Sequence, residues 1–166
     1  MLTEDSVCKA LGFLYGIKYG CDCGPNIFMS GYRADGDWVH LEPPSNGYEA
    51  DFLYITKSGY LYEIEVKLSI HDFKADLKKT SYHNFPDVKG FSYCVPAELY
   101  KFFKDDILDI CEEKGAGLIV IATDSDSIRV IKRAKPRKDV KLLTDERYLH
   151  YLRLFAKKWV RKREGK

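Results

Sequence analysis

The sequence lacks both a long hydrophobic run and a secretion signature. Its longest strongly apolar stretch, residues 118–122, is far shorter than the roughly 20 residues that cross a bilayer. The first residues, Met-Leu-Thr-Glu-Asp, have neither the basic segment nor the apolar segment of a signal peptide. We therefore expect a cytoplasmic protein, of a bacterial or an infected host cell, with no membrane partner.

Paired cysteines are also scarce. The chain has five cysteines, an odd number, and no secreted context, so we expect no disulfide framework. Cys21 and Cys23 are close in sequence, but no second close pair follows them, whereas a structural zinc site usually uses two. Buried free thiols are the expectation. A metal cluster on Cys8, Cys21 and Cys23 is the alternative.

A net charge of only +2 conceals an uneven distribution of charge. Residues 126–166 hold 15 Lys and Arg against 5 Asp and Glu, and the rest of the chain holds 12 against 20. Clustered Lys and Arg displace counterions from phosphates, so this basic end predicts a polyanionic partner. A solvated helix face is the alternative.

Length and hydrophobic periodicity predict one domain over residues 1–166, with its core at about 48–122 and a basic strand and helix at 126–166. The predicted element order is α-β-β-β-α-β-α-β-β-α. Such an order favours an α/β (α+β) fold, a mixed β-sheet with helices on both faces. The predicted helices start near residues 5, 70, 97 and 144; the third runs to residue 114, and the last has an inward face of Leu149, Leu152, Phe155, Trp159 and Val160. The predicted strands cover 27–32, 48–56, 60–68, 91–95, 117–123 and 128–131.

A tight turn at Lys57-Ser58-Gly59 predicts a hairpin, because three-residue loops with Gly at the third position commonly join antiparallel strands. Counting outward from this turn places Asp51 opposite Glu65. Directly opposed residues share a face, with β-carbons about 5 Å apart. Since strand side chains alternate, Lys67 lies on the face of Glu65. The hairpin therefore predicts two carboxylates and one ammonium together, a site for a divalent metal and a phosphodiester.

The same register places Glu49 opposite Lys67. Glu49 is either a third metal ligand or one half of a cross-strand salt bridge. Glu63, one step before Glu65 on the same face, is either a ligand or a strand-end charge. A plain salt-bridged sheet surface is the alternative for the whole group. Against that, helices are expected on both faces of the sheet, and buried like charges are costly without a cation.

These residues resemble the PD-(D/E)xK nuclease superfamily, whose fold is the restriction-endonuclease-like one. Asp51 and the Glu-Val-Lys of residues 65–67 match its motif. Residues 65–76, EVKLSIHDFKAD, are similar to the EVKxSxxDFxxD run of MmcB-type DNA-repair-associated proteins and related phage nuclease-like proteins. The Tyr-Cys-Val-Pro of residues 93–96 continues the likeness. The family's frequent acidic residue on the first helix has only Glu4 and Asp5 to match it, so that role is unassigned.

The resemblance implies a deoxyribonuclease that uses Mg²⁺, with Mn²⁺ able to substitute. Asp51 and Glu65 would be metal ligands, as would the carbonyl of Val66, and Lys67 would orient or deprotonate the attacking water or stabilise the oxyanion. DNA is the expected partner ahead of RNA, and many relatives form homodimers. A catalytically inactive nuclease-fold binding module is the alternative function. The predicted nucleic-acid contacts are basic side chains: Lys74, Lys78, Lys79, His83, Arg133, Lys135, Arg137 and Lys138.

Overall fold

A computed structural model describes residues 2–29, 33–34, 37–38, 47–76, 83, 85–123 and 127–163. Lys78 and Lys79 lie outside these described residues. The helices are α1 (Glu4–Leu11), a π-helix that continues it (Gly12–Lys18), α2 (Ile70–Asp76), α3 (Ala97–Phe102), α4 (Lys104–Glu113) and α5 (Asp145–Arg163). The strands are β1 (Asp22–Met29), β2 (Arg33–Ala34), β3 (Asp37–Trp38), β4 (Tyr48–Ile55), β5 (Leu61–Val66), β6 (Val88–Pro96), β7 (Gly117–Ile121) and β8 (Ile128–Lys132).

Six strands form one mixed sheet in the order β1-β4-β5-β6-β7-β8. The pairs β1/β4, β4/β5 and β7/β8 are antiparallel, while β5/β6 and β6/β7 are parallel. Strands β2 and β3 pair separately. A mixed sheet with flanking helices confirms the predicted fold class. The two parallel pairs bring the ends of β5, β6 and β7 to the same edge of the sheet.

Helices cover both faces of this sheet. On one face, which we call the tyrosine face, α1 and the π-helix pack on side chains such as Phe52, Ile64 and Ile119. On the other face, which we call the carboxylate face, α5 packs on Leu53 and Leu61. Farther along the carboxylate face, residues of α2 and α4 pack with Tyr93 and its neighbours on β6 and β7. Every described helix therefore has a sheet surface or a neighbouring helix to bury its apolar side.

Short polar side chains set the helix starts. Thr3 caps α1 by a reciprocal pair of hydrogen bonds with Ser6, which satisfies backbone groups of the first turn. Ser69 caps α2 by accepting a hydrogen bond from the amide of Asp72 at 3.1 Å, as its sequence position predicts. Thr144 accepts from the amide of Arg147 at the start of α5, at 3.3 Å. These caps fix where each helix leaves the sheet edge.

Two predicted elements differ from the structure. The predicted continuous helix from residue 97 to 114 is two helices, because Phe103 leaves the helical region with φ −128° and ψ 31°. In α5, Phe155 is buried as predicted, but Leu149 and Val160, which were also predicted to point inward, are exposed, and Tyr151 is buried. Within the described part of the chain, no helix has the length and apolar character needed to cross a membrane.

Candidate active site

The β4–β5 hairpin has the register that its turn predicts. Phe52 pairs with Ile64 and Ile55 with Leu61. At the turn, the amide of Thr56 donates to the carbonyl of Tyr60, and Gly59 has a φ of +85°, where a side chain would be strained. One step outward from the Phe52–Ile64 pair, this register places Asp51 beside Glu65 at the end of β5.

Lys67 lies directly after β5 and is buried, with its ammonium held by carboxylates. Its Nζ donates to Oε1 of Glu65 at 2.8 Å and lies 3.4 Å from Oδ1 of Asp76. Oδ1 of Asp72, an exposed residue at the start of α2, is 3.9 Å from the same nitrogen. Burial opposes ionisation of Lys67, but Glu65 and the two aspartates outweigh it and raise the pKa of Lys67. Lys67 therefore stays an ammonium at neutral pH.

Asp51 turns its carboxylate toward the backbone at the end of β5. Its Oδ2 accepts a hydrogen bond from the amide of Val66 at 2.7 Å. Burial, followed by the negative charge of Glu65, raises the pKa of Asp51 to about 8, against the lowering effect of the Val66 amide. Asp51 and Glu65 are thus close enough for the charge of one to disfavour ionisation of the other. This proximity is what the hairpin register predicts.

A backbone irregularity on the neighbouring strand accompanies Asp51. In the β1/β4 ladder, Pro25 pairs with Phe52 and Ile27 with Ala50, which leaves Asn26 facing Asp51. Asn26 has a φ of +50°, a conformation that Asn adopts more readily than most residues. The alternation of β4 is interrupted here, because Ala50 packs in the same cluster as Leu53, three residues away.

This interruption explains why Glu49 does not reach Lys67. Tyr48 directs its hydroxyl to Glu63 on the carboxylate face, so its neighbour Glu49 points away from that face. Glu49 is exposed, and its Oε2 lies 3.4 Å from Nζ of Lys158 on α5. The predicted position of Glu49 opposite Lys67 assumed that side chains alternate between the two faces along the whole of β4. The predicted cross-strand salt bridge with Lys67 is therefore not formed, and Glu49 pairs at the surface with Lys158 of α5 instead.

A buried network of charges lies behind Glu65 and Lys67. The imidazole of His83 lies between two carboxylates, with Nδ1 2.6 Å from Oε1 of Glu63 and Nε2 3.1 Å from Oδ2 of Asp76. The hydroxyl of Tyr48 donates to Glu63 at 2.6 Å, and that of Tyr93 donates to Asp76 at 2.8 Å. Glu63, Asp76 and His83 are all buried. The network therefore links β5 to α2 and to the segment before β6.

His83 acts in this network as a cation. Burial lowers its pKa, but the hydrogen bonds to Asp76 and Glu63 outweigh burial and raise the pKa to about 9. The same interactions with His83, against the effect of burial, lower the pKa of Asp76. Glu63, Glu65 and His83 have potential ligand atoms within 4.8 Å of one another. Because both ring nitrogens of His83 already contact carboxylates, we regard this group as an ion-pair network.

The donor set fits a divalent cation near Asp51 and Glu65. Four carboxylates, those of Asp51, Glu63, Glu65 and Asp76, surround two cations, Lys67 and His83. Among the described residues, no hydrogen-bond donor reaches Oε2 of Glu65, although that oxygen is buried. A buried carboxylate oxygen without a donor is costly, and a hard cation with oxygen ligands removes that cost.

An acidic residue on the first helix also lies close to this site. Oε1 of Glu4 accepts a hydrogen bond from Nδ2 of Asn26 at 2.7 Å, and Asn26 faces Asp51. The charge of Glu4 contributes to the raised pKa of Asp51 after burial and Glu65. Asp5, the other candidate for this role, forms an exposed ion pair with Lys9 instead. Glu4 is thus the first-helix acid that the structure places beside Asp51.

The predicted nucleic-acid contacts divide into three groups. The burial of His83 is a correction, because a side chain that pairs with Glu63 and Asp76 in the interior has no access to a strand. Arg137 donates to the carbonyl of Phe85 at 2.9 Å and to Asp139 at 3.1 Å, so it holds two segments of the protein together. The third group is exposed and consists of Lys74, whose Nζ is 2.8 Å from Asp106, and Arg133, Lys135 and Lys138.

The five cysteines form no disulfide bond. Cys8, Cys94 and Cys111 are buried, while Cys21 and Cys23 are partly buried. Burial raises the pKa of Cys23 to about 12 and that of Cys111 to about 11, which keeps these thiols protonated. Burial is therefore as expected for Cys8, Cys94 and Cys111 and only partial for the other two.

No protein-family model matches the sequence, and no curated protein matches it. Two solved structures are similar to this chain to different degrees. A protein of unknown function from Silicibacter pomeroyi is similar with a TM-score of 0.61 and 19% identity, over 99% of this chain and 91% of that chain. A fdxN element excision controlling factor protein from Anabaena variabilis has a TM-score of 0.46 and 18% identity, over 75% of this chain and 96% of that chain. At these identities the first likeness shows a shared fold alone, and the second is too distant to support an inference.

Proposed function

We propose that this chain is a Mg²⁺-dependent nuclease of the restriction-endonuclease-like fold that hydrolyses phosphodiester bonds in DNA, in repair, recombination or phage DNA processing. The observation that carries the proposal is the grouping of Asp51, Glu65 and Lys67 at the end of β5, with an excess of buried carboxylates over cations. If these residues formed only a salt bridge, the pKa of Asp51 would not be raised, and Oε2 of Glu65 would have a hydrogen-bond donor.

Each residue of this group has a role that follows from its environment. Asp51 and Glu65 would hold the cation, and Glu4 adds a further negative charge close to Asp51. When bound, a divalent cation supplies a Lewis acid at the scissile phosphate. Lys67 keeps its proton because Glu65 and Asp76 raise its pKa, so it donates hydrogen bonds to the developing negative charge on the phosphate.

Substrate contacts outside this group are basic and exposed. Lys74 on α2 follows the Glu65–Lys67 segment and lies on the exposed surface beside Asp106. Lys135 and Lys138 belong to the basic end of the chain, which favours a polyanion. These side chains would contact phosphates without reading bases, which suits a nuclease of low sequence specificity. A homodimer would place two such sites on two strands.

The experiment is cleavage of end-labelled single-stranded, double-stranded and branched DNA by the purified protein with Mg²⁺, Mn²⁺ or EDTA. The wild type is expected to cut with either metal and not with EDTA. Asp51→Asn and Lys67→Ala are expected to lose cutting while keeping a folded circular dichroism spectrum. Glu49→Gln is the matched control, because Glu49 is on the same strand but faces Lys158, and it should cut like the wild type.

An inactive nuclease-fold module that binds nucleic acid or a protein partner is the second candidate. It is favoured by one observation, that the amide of Val66 and the cations Lys67 and His83 already satisfy much of the carboxylate charge. Such a module would bind DNA without cutting it under any of the metal conditions. Absence of cleavage by folded wild-type protein that binds DNA would replace the nuclease proposal with this one.

A further inference from the structure

A groove crosses the tyrosine face of the sheet, on the side opposite Glu63 and Glu65. Its floor takes one side chain from each of five neighbouring strands: Tyr54 of β4, Tyr62 of β5, Ser92 of β6, Ile119 of β7 and Val130 of β8. Tyr15 of the π-helix and Tyr19, just after that helix, form one wall, and Lys132, Arg133, Ala134 and Pro136 form the other. The cavity has a volume of about 590 Å³.

Three tyrosine rings form a column along this groove. Tyr15 stacks on Tyr54 with ring centroids 4.1 Å apart, and Tyr54 stacks on Tyr62 with centroids 5.3 Å apart and planes 11° from parallel. Tyr62, the last ring of the column, is only partly buried. It lies beside Gly90 on the next strand, where an added Cβ would come within 2.7 Å of the ring. Glycine at this position lets the Tyr62 ring lie close against the backbone of β6.

The wall opposite the π-helix is basic. Lys132 lies beside the groove and forms an ion pair with Glu112. Arg133, the next residue, lines the groove and is exposed. The groove therefore combines planar aromatic side chains with an arginine at one side. Arg129, on β8, is also exposed. Because side chains alternate along a strand, Arg129 lies on the opposite face of the sheet from its neighbour Val130, which lines the groove.

We propose that this groove binds single-stranded nucleic acid, with a base packed against Tyr62 at the exposed end of the tyrosine column and phosphates against Arg133. Aromatic rings beside a positive wall are what sequence-tolerant binding of single strands uses, since every base has a π-face. The floor spans five strands, about 19 Å at the usual strand spacing, which accommodates an extended strand along it. A duplex keeps its bases stacked inside, so its bases do not reach the tyrosines. The groove is separated from the candidate active site by the sheet, and binding there does not depend on cleavage.

The test is fluorescence anisotropy of a labelled oligothymidylate of about 12 nucleotides, a length within the range that such grooves cover. EDTA is present throughout, so no strand is cut. Tyr62→Ala and Arg133→Ala are each expected to weaken binding by at least about fivefold, the lower limit for loss of one base–aromatic contact. Arg129→Ala removes the same charge from the opposite face and should leave binding within about twofold of wild type.

The proposal is overturned by no binding of the wild type, by equal losses in Arg129→Ala and Arg133→Ala, or by no loss in Tyr62→Ala. Tyr62→Phe keeps the ring and should bind like wild type, which separates loss of stacking from loss of folding. Competition with thymidine monophosphate and with a duplex of the same length identifies the ligand. A site for a free nucleotide alone would be displaced by the monophosphate at concentrations near those of the oligonucleotide, and this too would overturn it. Failure of the nuclease proposal would appear only in the cleavage assay, so the two proposals are distinguishable.

Discussion

Replacing Asp51 by Asn is expected to stabilise the metal-free protein, by an amount that increases with pH. Burial and the neighbouring Glu65 raise the pKa of Asp51 to about 8 from its ordinary value of 3.8. A carboxyl with a raised folded-state pKa contributes its full stability only below the unfolded pKa, and that contribution is lost as pH rises toward the folded value. The wild type therefore loses about 1.4 kcal/mol for each pH unit between these two values.

An Asn at position 51 has no charge to lose, and its amide oxygen can still accept the hydrogen bond from Val66. The expected gain in the free energy of unfolding is at most about 1.6 kcal/mol at pH 5 and about 4 kcal/mol at pH 7. The assay is urea denaturation of both proteins in EDTA at the two pH values. Glu49→Gln, an exposed change two residues away, should stay within about 0.5 kcal/mol of wild type at both.

Added Mg²⁺ should stabilise the wild type more than it stabilises Asp51→Asn. Because a ligand that binds the folded state alone stabilises it by mass action, the wild type should gain stability with Mg²⁺ concentration. Asp51→Asn, having lost a charged ligand, should gain little. The reasoning is refuted if Asp51→Asn destabilises the metal-free protein at pH 7, or if its effect is the same at pH 5 and pH 7.

Three further changes test the buried network and the hairpin. His83→Gln leaves Glu63 and Asp76 without their shared cation, so it should lower the free energy of unfolding by about 3–5 kcal/mol at pH 6. Because the pKa of His83 is raised to about 9, that deficit should shrink as pH rises through this value, and a deficit unchanged at pH 10 in urea denaturation would contradict it. Asp76→Asn should lower kcat about tenfold or more, with KM for DNA little changed, because Asp76 positions the Lys67 ammonium. Asp72→Asn, which removes an exposed charge from beside the same ammonium, should change kcat less than threefold, and a loss in Asp72→Asn equal to that in Asp76→Asn would rule out this role. Gly59→Ala should lower stability by about 1–2 kcal/mol in thermal denaturation, since Gly59 has a φ of +85°, and an unchanged midpoint would contradict the strained turn.

The central hairpin could be predicted from the sequence because its geometry is local. A Gly at the third loop position sets the turn, and counting outward from it gives the pairing of Ile55 with Leu61 and of Phe52 with Ile64. The break in the helix at Phe103 could not be predicted, because neither Gly nor Pro marks it. The prediction that Leu149 and Val160 point inward from α5 was also wrong, since both side chains are exposed. Periodicity identifies an apolar stripe, but the surface against which the stripe packs decides its centre.

In the candidate site, too, the residues placed by local geometry could be predicted and those placed by tertiary packing could not. Asp51, Glu65 and Lys67 lie on or beside one hairpin, so their proximity follows from its register. Asp76 and His83 reach the site through tertiary packing, which spacing in the sequence does not describe. A signal for Asp76 was nevertheless present, because it follows Ile70 and Phe73 at intervals of three and so lies on the buried side of α2. An aspartate on an apolar helix face needs a buried partner.

The packing of α5 on the first strand has a consequence for synthesis of the protein. Tyr148 of α5 donates to Asp22 of β1, and the indole of Trp159 donates to the carbonyl of Cys23 at 2.8 Å, 136 residues earlier in the chain. A ribosome releases α5 after all the strands of the sheet, so β1 and the apolar side chains beneath α5 stay exposed until α5 emerges. A nascent chain stalled before α5 would therefore present this edge of the sheet to chaperones and to other copies of itself.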